Sequence, residues 1–224
     1  MNQFSTSRGG LGFSQEYSEI ISQIRNFAQK NFSPLSQKKF YFFYGTHGVG
    51  EERIAEYFKS KSYEIIRPET LPFEEQLNIL TNCENFASSL GSISHNSIFL
   101  KDGAETLFIP RWAELNRYQF ALDTLQNLNV NYIDSTLSVF AHHFRGPFCF
   151  IISEQLKNFF GDDWNGDYSD EDFEICLSYL RLAMDLQIPM SEKMLEYYAP
   201  VWMNFFEQLK TKTDLLEKYN VVFK

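Results

Sequence analysis

The chain has 224 residues, a formal net charge of −9, 44% hydrophobic residues and an aromatic share of 17% that includes 23 Phe and 12 Tyr. That length buries a full core without staples, and the acidic balance excludes a nucleic-acid backbone as the main ligand, because binding a polyphosphate relies on clustered Lys and Arg. Cys83, Cys149 and Cys176 stand far apart, in no disulfide or zinc spacing, no basic-then-apolar leader opens the chain, and no apolar run reaches the ~18 residues of a membrane span, so the sequence reads as a cytoplasmic protein.

In chain order, Gln15 to Lys30 is helical after a glycine-rich start, and "SPLSQ" breaks it. Lys38 to Tyr44 is an apolar run suited to a buried strand, Glu51 to Lys61 sets Ile54, Ala55 and Phe58 at helical spacing, and Tyr63 to Ile66 is a second strand closed by Pro68. Phe73 to Cys83 carries Leu77, Leu80 and Cys83 on one helix face before the short strand Phe86 to Ser88. A brief helix over Ser94 to Lys101, a strand over Thr106 to Ile109, a helix over Arg117 to Leu128 and a strand over Tyr132 to Ser135 continue the alternation. Strand and helix in turn predict an α/β fold, a Rossmann-like parallel sheet flanked by helices. "GPFCFIISEQLKNFF" suits a last strand or a buried helix equally. Asp170 to Leu186 and Ser191 to Lys212, the latter interrupted at Pro200, form a helical C-terminal extension. The expected organisation is a helical lead-in over 1–36, a Rossmann-like domain over 37–152 and the helical extension over 153–224.

Ligands of such sheets sit at the carboxyl ends of the strands. Two turns qualify. "YFFYGTHGVGEE" offers Gly45, Thr46 and His47 at a strand end, but it ends in Glu51 and Glu52 where a triphosphate loop needs Lys and Ser or Thr. "SSLGSISHNSIF" offers Gly91, Ser92, Ser94, His95 and Asn96, groups suited to a diphosphate or a sugar. Glu75 is either a ligand or a first-turn charge of its helix. Arg111, past the fourth strand, binds a phosphate or pairs with Glu114. Asp163 to Glu174 has EF-hand spacing but Tyr168 where the loop needs glycine. The acid run Asp170-Glu171-Asp172 is better explained as a helix start capped by Ser169, and His142-His143 lack further ligands, so no metal is expected. The rings of Met194 to Leu209 form a stripe wide enough either to cover a neighbouring domain or second copy, or to build a satellite core on Ile151, Phe159 and Phe160.

The segment from Lys38 to Arg111, with "YEIIRPETLPFEEQ" followed by "NCENFASSLGS", Asn96 and Phe99, resembles the C-terminal nucleotide-sugar half of glycosyltransferase family 61 enzymes, which include capsular-polysaccharide transferases. The resemblance implies one half of a two-Rossmann transferase that works without a metal or other cofactor. It implies a nucleotide sugar as donor, a glycan acceptor, and an acceptor domain or a second copy as partner, at the cytoplasmic membrane face. The family usually carries Ser-Arg after the first strand, where this chain has Tyr44-Gly45, and His-Gly-Ala-Gly where it has Leu90-Gly91-Ser92-Ile93. A chain too short for an acceptor domain is expected to be a fragment, a partner-dependent subunit, or a binding or scaffold domain that keeps the fold without the chemistry.

Overall fold

Within the glycine-rich start, Phe4–Ser7 (β1) pairs antiparallel with Gly10–Phe13 (β2). The computed structural model describes residues 4–7, 10–45, 48–112, 115, 117–125, 127–140 and 146–221, in two units. The first unit takes Met1–Tyr44, Phe58–Ile109 and Glu114–Ile133; the second takes Gly45–Tyr57, Pro110–Ala113 and Asp134–Lys224. Both units are assembled from discontinuous stretches of the chain.

In the first unit, Ser14 caps Gln15–Asn31 (α1) by accepting from the Tyr17 amide at 3.3 Å. Lys39–Phe42 (β3) is the hub of the sheet. Along the chain past it lie Gly48–Val49 (β4) and Glu51–Ser60 (α2), which up to Tyr57 belong to the second unit, and then, in the first, Glu64–Ile66 (β5), Phe73–Asn82 (α3), Asn85–Ser89 (β6), Glu105–Ile109 (β7), Arg117–Asp123 (α4) and Asn129–Tyr132 (β8). The five strands β5-β3-β6-β7-β8 are parallel throughout. This is the Rossmann-like α/β arrangement expected. After β3 the chain adds β5 on one side, then crosses to add β6 on the other, so the strand order reverses between β3 and β6. That reversal opens the crevice in which doubly wound sheets take ligands.

Burial on both faces explains why β3 reads as a continuous apolar run. Phe40, Tyr41, Phe42 and Phe43 are all buried. On one face Phe42 meets Phe86 at 5.1 Å, Phe86 meets Phe108 at 6.2 Å and Phe108 meets Tyr132 at 5.7 Å, a row of rings over which Ile21, Ala28, Leu77 and Leu80 pack. On the other, Tyr41 stacks on Phe58 at 4.5 Å.

Three boundaries move. β8 ends at Tyr132, because pairing with β7 holds Asn129 to the Ala104 carbonyl and Ile133 to the Phe108 carbonyl; the expected strand over Tyr132 to Ser135 is overruled by that register. α4 stops at Asp123, where the Leu125 amide turns back onto Leu122. The segment after Ile93 is a 3-10 turn over Ser94–Phe99, shorter than the helix expected.

In the second unit, the ambiguous segment around Phe148 splits: Phe148–Cys149 (β9) pairs with β4, and Ser153 caps Glu154–Phe159 (α5). Asp170–Asp185 (α6), Glu192–Leu209 (α7) and Thr213–Tyr219 (α8) follow. α7 runs through Pro200 without a break, with the proline and Glu196, whose carbonyl it frees, both exposed to water. Ser169 and Asp172 form a reciprocal capping box, as the acids at this helix start suggest. Arg53 bonds Asp172, Glu171 and Ser169, and Lys212 bonds Asp170 at 2.6 Å, so every acid of that run has a structural partner.

The aromatic stripe of α7 belongs to this unit's own core. Tyr198, Trp202, Phe205 and Leu209 are buried with Ile151, Phe173 and Cys176, as the satellite-core alternative requires, while Tyr197 stays exposed. Trp202→Glu should therefore unfold the second unit, since an unpaired charge in a core costs about 4 kcal/mol or more; loss of the near-ultraviolet dichroism of these rings checks it.

A second outcome follows from the glycine turn. A Cβ at Gly50, φ +89°, would stand 2.3 Å from the Phe150 carbonyl oxygen, while one at Gly166, φ +88°, would meet nothing within 4 Å. Gly166→Ala should lose only the about 1–3 kcal/mol of backbone strain. Gly50→Ala should lose distinctly more, measured by urea unfolding of both variants.

Candidate functional site

The strand order places the first unit's crevice between the ends of β3 and β6, where Phe42 pairs with Ser88. Beyond β6 the chain is pinned by the Leu90 amide donating to the Ile109 carbonyl at 2.8 Å, and the Gly91 to Asn96 turn follows. The turn is tight because Ser94 closes it. Its Oγ accepts from the Gly91 amide at 3.2 Å and lies 2.7 Å from both the Gly91 carbonyl and Gln119 Oε1. Gln119, fully buried, also donates to Ser97 and to Asp123, and Asp123 accepts from the Tyr132 hydroxyl. Ser94 is thus the first member of a buried polar chain that ties the turn to α4.

What the turn leaves available is narrower than the sequence suggests. Ser92 is exposed, and Asn96 and His95 are half-buried. His95 Nε2 and Ser88 Oγ are buried with no hydrogen-bond partner among the described residues. Burial lowers the His95 pKa, so the ring is held neutral and one nitrogen can accept while the other donates. Two unsatisfied polar atoms beside a switch point are unusual, since buried polar groups almost always find partners.

The other candidates are placed differently. Gly45 belongs to the second unit, where its amide donates to Glu51 Oε2 at 3.2 Å and Glu51 is itself buried. The glycines of this turn answer to sterics: a Cβ at Gly48 would fall 2.3 Å from the Phe150 ring. Thr46 and His47 lie outside the described residues, as do His142, His143 and Glu114. Glu75 is exposed on the first turn of α3. Arg111 also belongs to the second unit, its guanidinium 5.4 Å from the centre of the Phe148 ring. Among the described residues no group of three or more His, Cys, Asp and Glu is arranged to hold a metal ion.

Sequence reasoning passed over Arg67. It follows β5 directly, is exposed, and lies over the Phe43 ring at 4.8 Å, which puts a cation at the carboxyl edge of the first unit's sheet. The rule that ligands meet strand ends would have found it in "EIIRPET". The neighbouring motif residues are structural: Gln76 donates to the carbonyls of Pro68 at 2.7 Å and Leu71 at 2.9 Å, folding the connection from β5 into α3.

A second feature lies wholly in the second unit. A cavity of about 240 Å³ is walled by Trp164, Tyr168 and Tyr198 and edged by Asp134, Glu154 and Asn204. Asp134 accepts from the Thr136 amide at 3.3 Å, and the Tyr198 hydroxyl lies 2.8 Å from Thr136 Oγ1. Burial raises the Asp134 pKa above its ordinary 3.8, against the opposing pull of bonds from Thr136 and the Tyr197 hydroxyl. No pattern flagged Asp134, because the sequence placed it inside a strand.

The sign of that shift sets a prediction. Below 3.8 the carboxyl is neutral in folded and unfolded chains alike; as pH rises, the unfolded chain ionises first and folding loses stability until the folded carboxyl has ionised too. Asp134→Asn should raise the melting temperature at neutral pH, with the gain shrinking to nothing as pH falls below 3.8, in scans of both proteins across pH.

Residues 17–107, from α1 through the first part of β7, match the family model of Glycosyltransferase 61, and over that span the chain is glycosyltransferase 61-like. The match covers the crevice at the ends of β3 and β6. It supports a glycosyltransferase-like function, which implies sugar donor and acceptor substrates in general. No curated protein matches the chain. Among the described residues, no helix is long and apolar enough to cross a membrane.

Proposed function

We propose that the protein transfers a sugar from a nucleotide-sugar donor, in the assembly of a capsular or other surface polysaccharide on the cytoplasmic side of the membrane. The observation that carries this reading is the pair of unpartnered buried atoms, Ser88 Oγ and His95 Nε2, at the switch point of a sheet whose sequence matches a glycosyltransferase family. In such a transfer the bond from the anomeric carbon to the diphosphate breaks and negative charge gathers on the departing diphosphate. Donors fixed in advance around that charge lower the barrier more than flexible water does. Ser92, the neutral His95 ring and Asn96 offer hydrogen bonds on one side of the crevice, and Arg67 offers a cation at the same edge of the sheet. Arg111 and Gly45 belong to the second unit, where one lies over the Phe148 ring and the other's amide is held by Glu51, and neither is assigned to this crevice. The reaction is metal-independent in this proposal: Asp170, Glu171 and Asp172, the one acid run of the kind metal-dependent transferases use, are bonded to Arg53, Lys212 and the helix cap.

A second reading, a binding or scaffold domain that keeps the fold, is favoured by one observation: Ser94 and the Gly91 amide satisfy each other rather than a ligand.

Nucleoside diphosphates decide between the two. Uridine, guanosine and thymidine diphosphates at millimolar concentration should include one that raises the melting temperature, by the equivalent of about 2.7 kcal/mol at a hundredfold excess over its dissociation constant. The shift should survive EDTA and shrink in His95→Ala and Arg67→Ala. If no nucleotide shifts the transition, the scaffold reading stands.

A further inference from the structure

We infer that the second unit contains a saccharide subsite, the cavity between Trp164, Tyr168, Tyr198, Asp134, Glu154 and Asn204, and that its occupant is one sugar ring of the acceptor. The binding claim rests on this cavity alone; the acceptor role rests on the transferase reading above.

The lining selects the ligand class. Asp134 and Glu154 are carboxylic groups and Asn204 an amide, and the lining contains no Lys or Arg. A phosphate or nucleotide would meet two carboxyl groups in this lining, and the Lys157 ammonium beside it lies over the Trp164 ring at 5.0 Å. An aliphatic chain would leave the carboxyl groups facing apolar carbon, a costly arrangement. A pyranose meets both demands: its C–H faces lie well against aromatic and aliphatic walls, and its rim of hydroxyls donates to carboxylates and both donates to and accepts from an amide.

Size and access agree. A cavity of about 240 Å³ has room for several waters and so for a ring of pyranose size. Glu154 and Asn204 are exposed, so the cavity opens to solvent and the next residue of an oligosaccharide has a way out. The polar edge is set before anything binds. Asp134 is held by Thr136, Thr136 by Tyr198, and the Ser153 hydroxyl donates to the Asp134 carbonyl at 2.6 Å while also capping α5. Tyr168 is held edge-on by Trp164 at 5.6 Å and by Phe205 at 5.6 Å, so the wall cannot fold away.

Saturation-transfer NMR on the full chain, without nucleotide, tests the subsite. The probes are methyl glycosides of glucose, galactose and N-acetylglucosamine, their disaccharides, and choline as a cationic control. At least one saccharide should show transfer while choline shows none, and Asp134→Asn and Asn204→Ala should each weaken its binding about tenfold, the loss of one hydrogen bond to a charged or buried polar group. The melting temperature of Asp134→Asn should not fall, which separates lost contact from lost fold. No transfer from any saccharide, transfer untouched by both variants, or binding of choline instead overturns the inference, even where a nucleotide still stabilises the protein. Saccharide binding without any nucleotide response upholds the subsite and removes only its assignment to an acceptor.

Discussion

The row of rings running Phe42, Phe86, Phe108 and Tyr132 is the contact on which the first unit depends. Parallel strands have no hairpins to set their register; side-chain packing has to do so, and a one-residue slip would turn every ring to the opposite face. Phe42 meets Phe86 and Phe86 meets Phe108 edge to face, a geometry in which aromatic pairs add to their burial, and Phe108 meets Tyr132 at a tilt. Holding β3, β6, β7 and β8 in one register aligns their carboxyl ends. The crevice between β3 and β6, and with it the positions of Ser88 and His95, follows from that alignment.

The turn after β6 shows how a candidate site and a folding element share residues. Ser94, Gln119, Asp123 and Tyr132 form one buried chain of hydrogen bonds, and in a low-dielectric interior each member must stay paired. The cost of leaving one unpaired holds the turn rigid. His95 and Asn96, next along the chain, are thereby presented on a fixed frame, which is what an electrostatic site requires. Gly45 illustrates the opposite outcome. Its position at a strand end is right for a ligand, yet a buried carboxylate from the following helix occupies its amide.

In the second unit the same residue types serve packing. Tyr168, Phe173, Trp202 and Phe205 touch one another at ring distances of 4.7 to 6.2 Å. The aromatic residues of the chain thus serve largely to build two cores, and Trp164, Tyr168 and Tyr198 also line a cavity.

Local chemistry determined the element list. The helical spacing of Leu77 and Leu80, the cap Ser169, and the apolar run before Gly45 each act within a few residues, so α3, α6 and β3 were legible to within about two residues. The parallel sheet followed from their alternation, and the motif around "RPETLPFEEQ" carried the family resemblance. Tertiary structure decided the rest, because it depends on partners distant in sequence. Pairing with β7 drew β8 back to Asn129, pairing of β4 with β9 settled the segment around Phe148, and packing on Phe173 and Cys176 took the α7 stripe into a core. The candidate site divides the same way. A strand-end rule pointed to His95 and Asn96, whereas the packing of Ser94 hung on Gln119, twenty-five residues away, and Asp134 gained its cavity only when residues 151, 164 and 198 folded around it. Sequence spacing reports what one element needs; it carries no record of which other element will arrive to satisfy it.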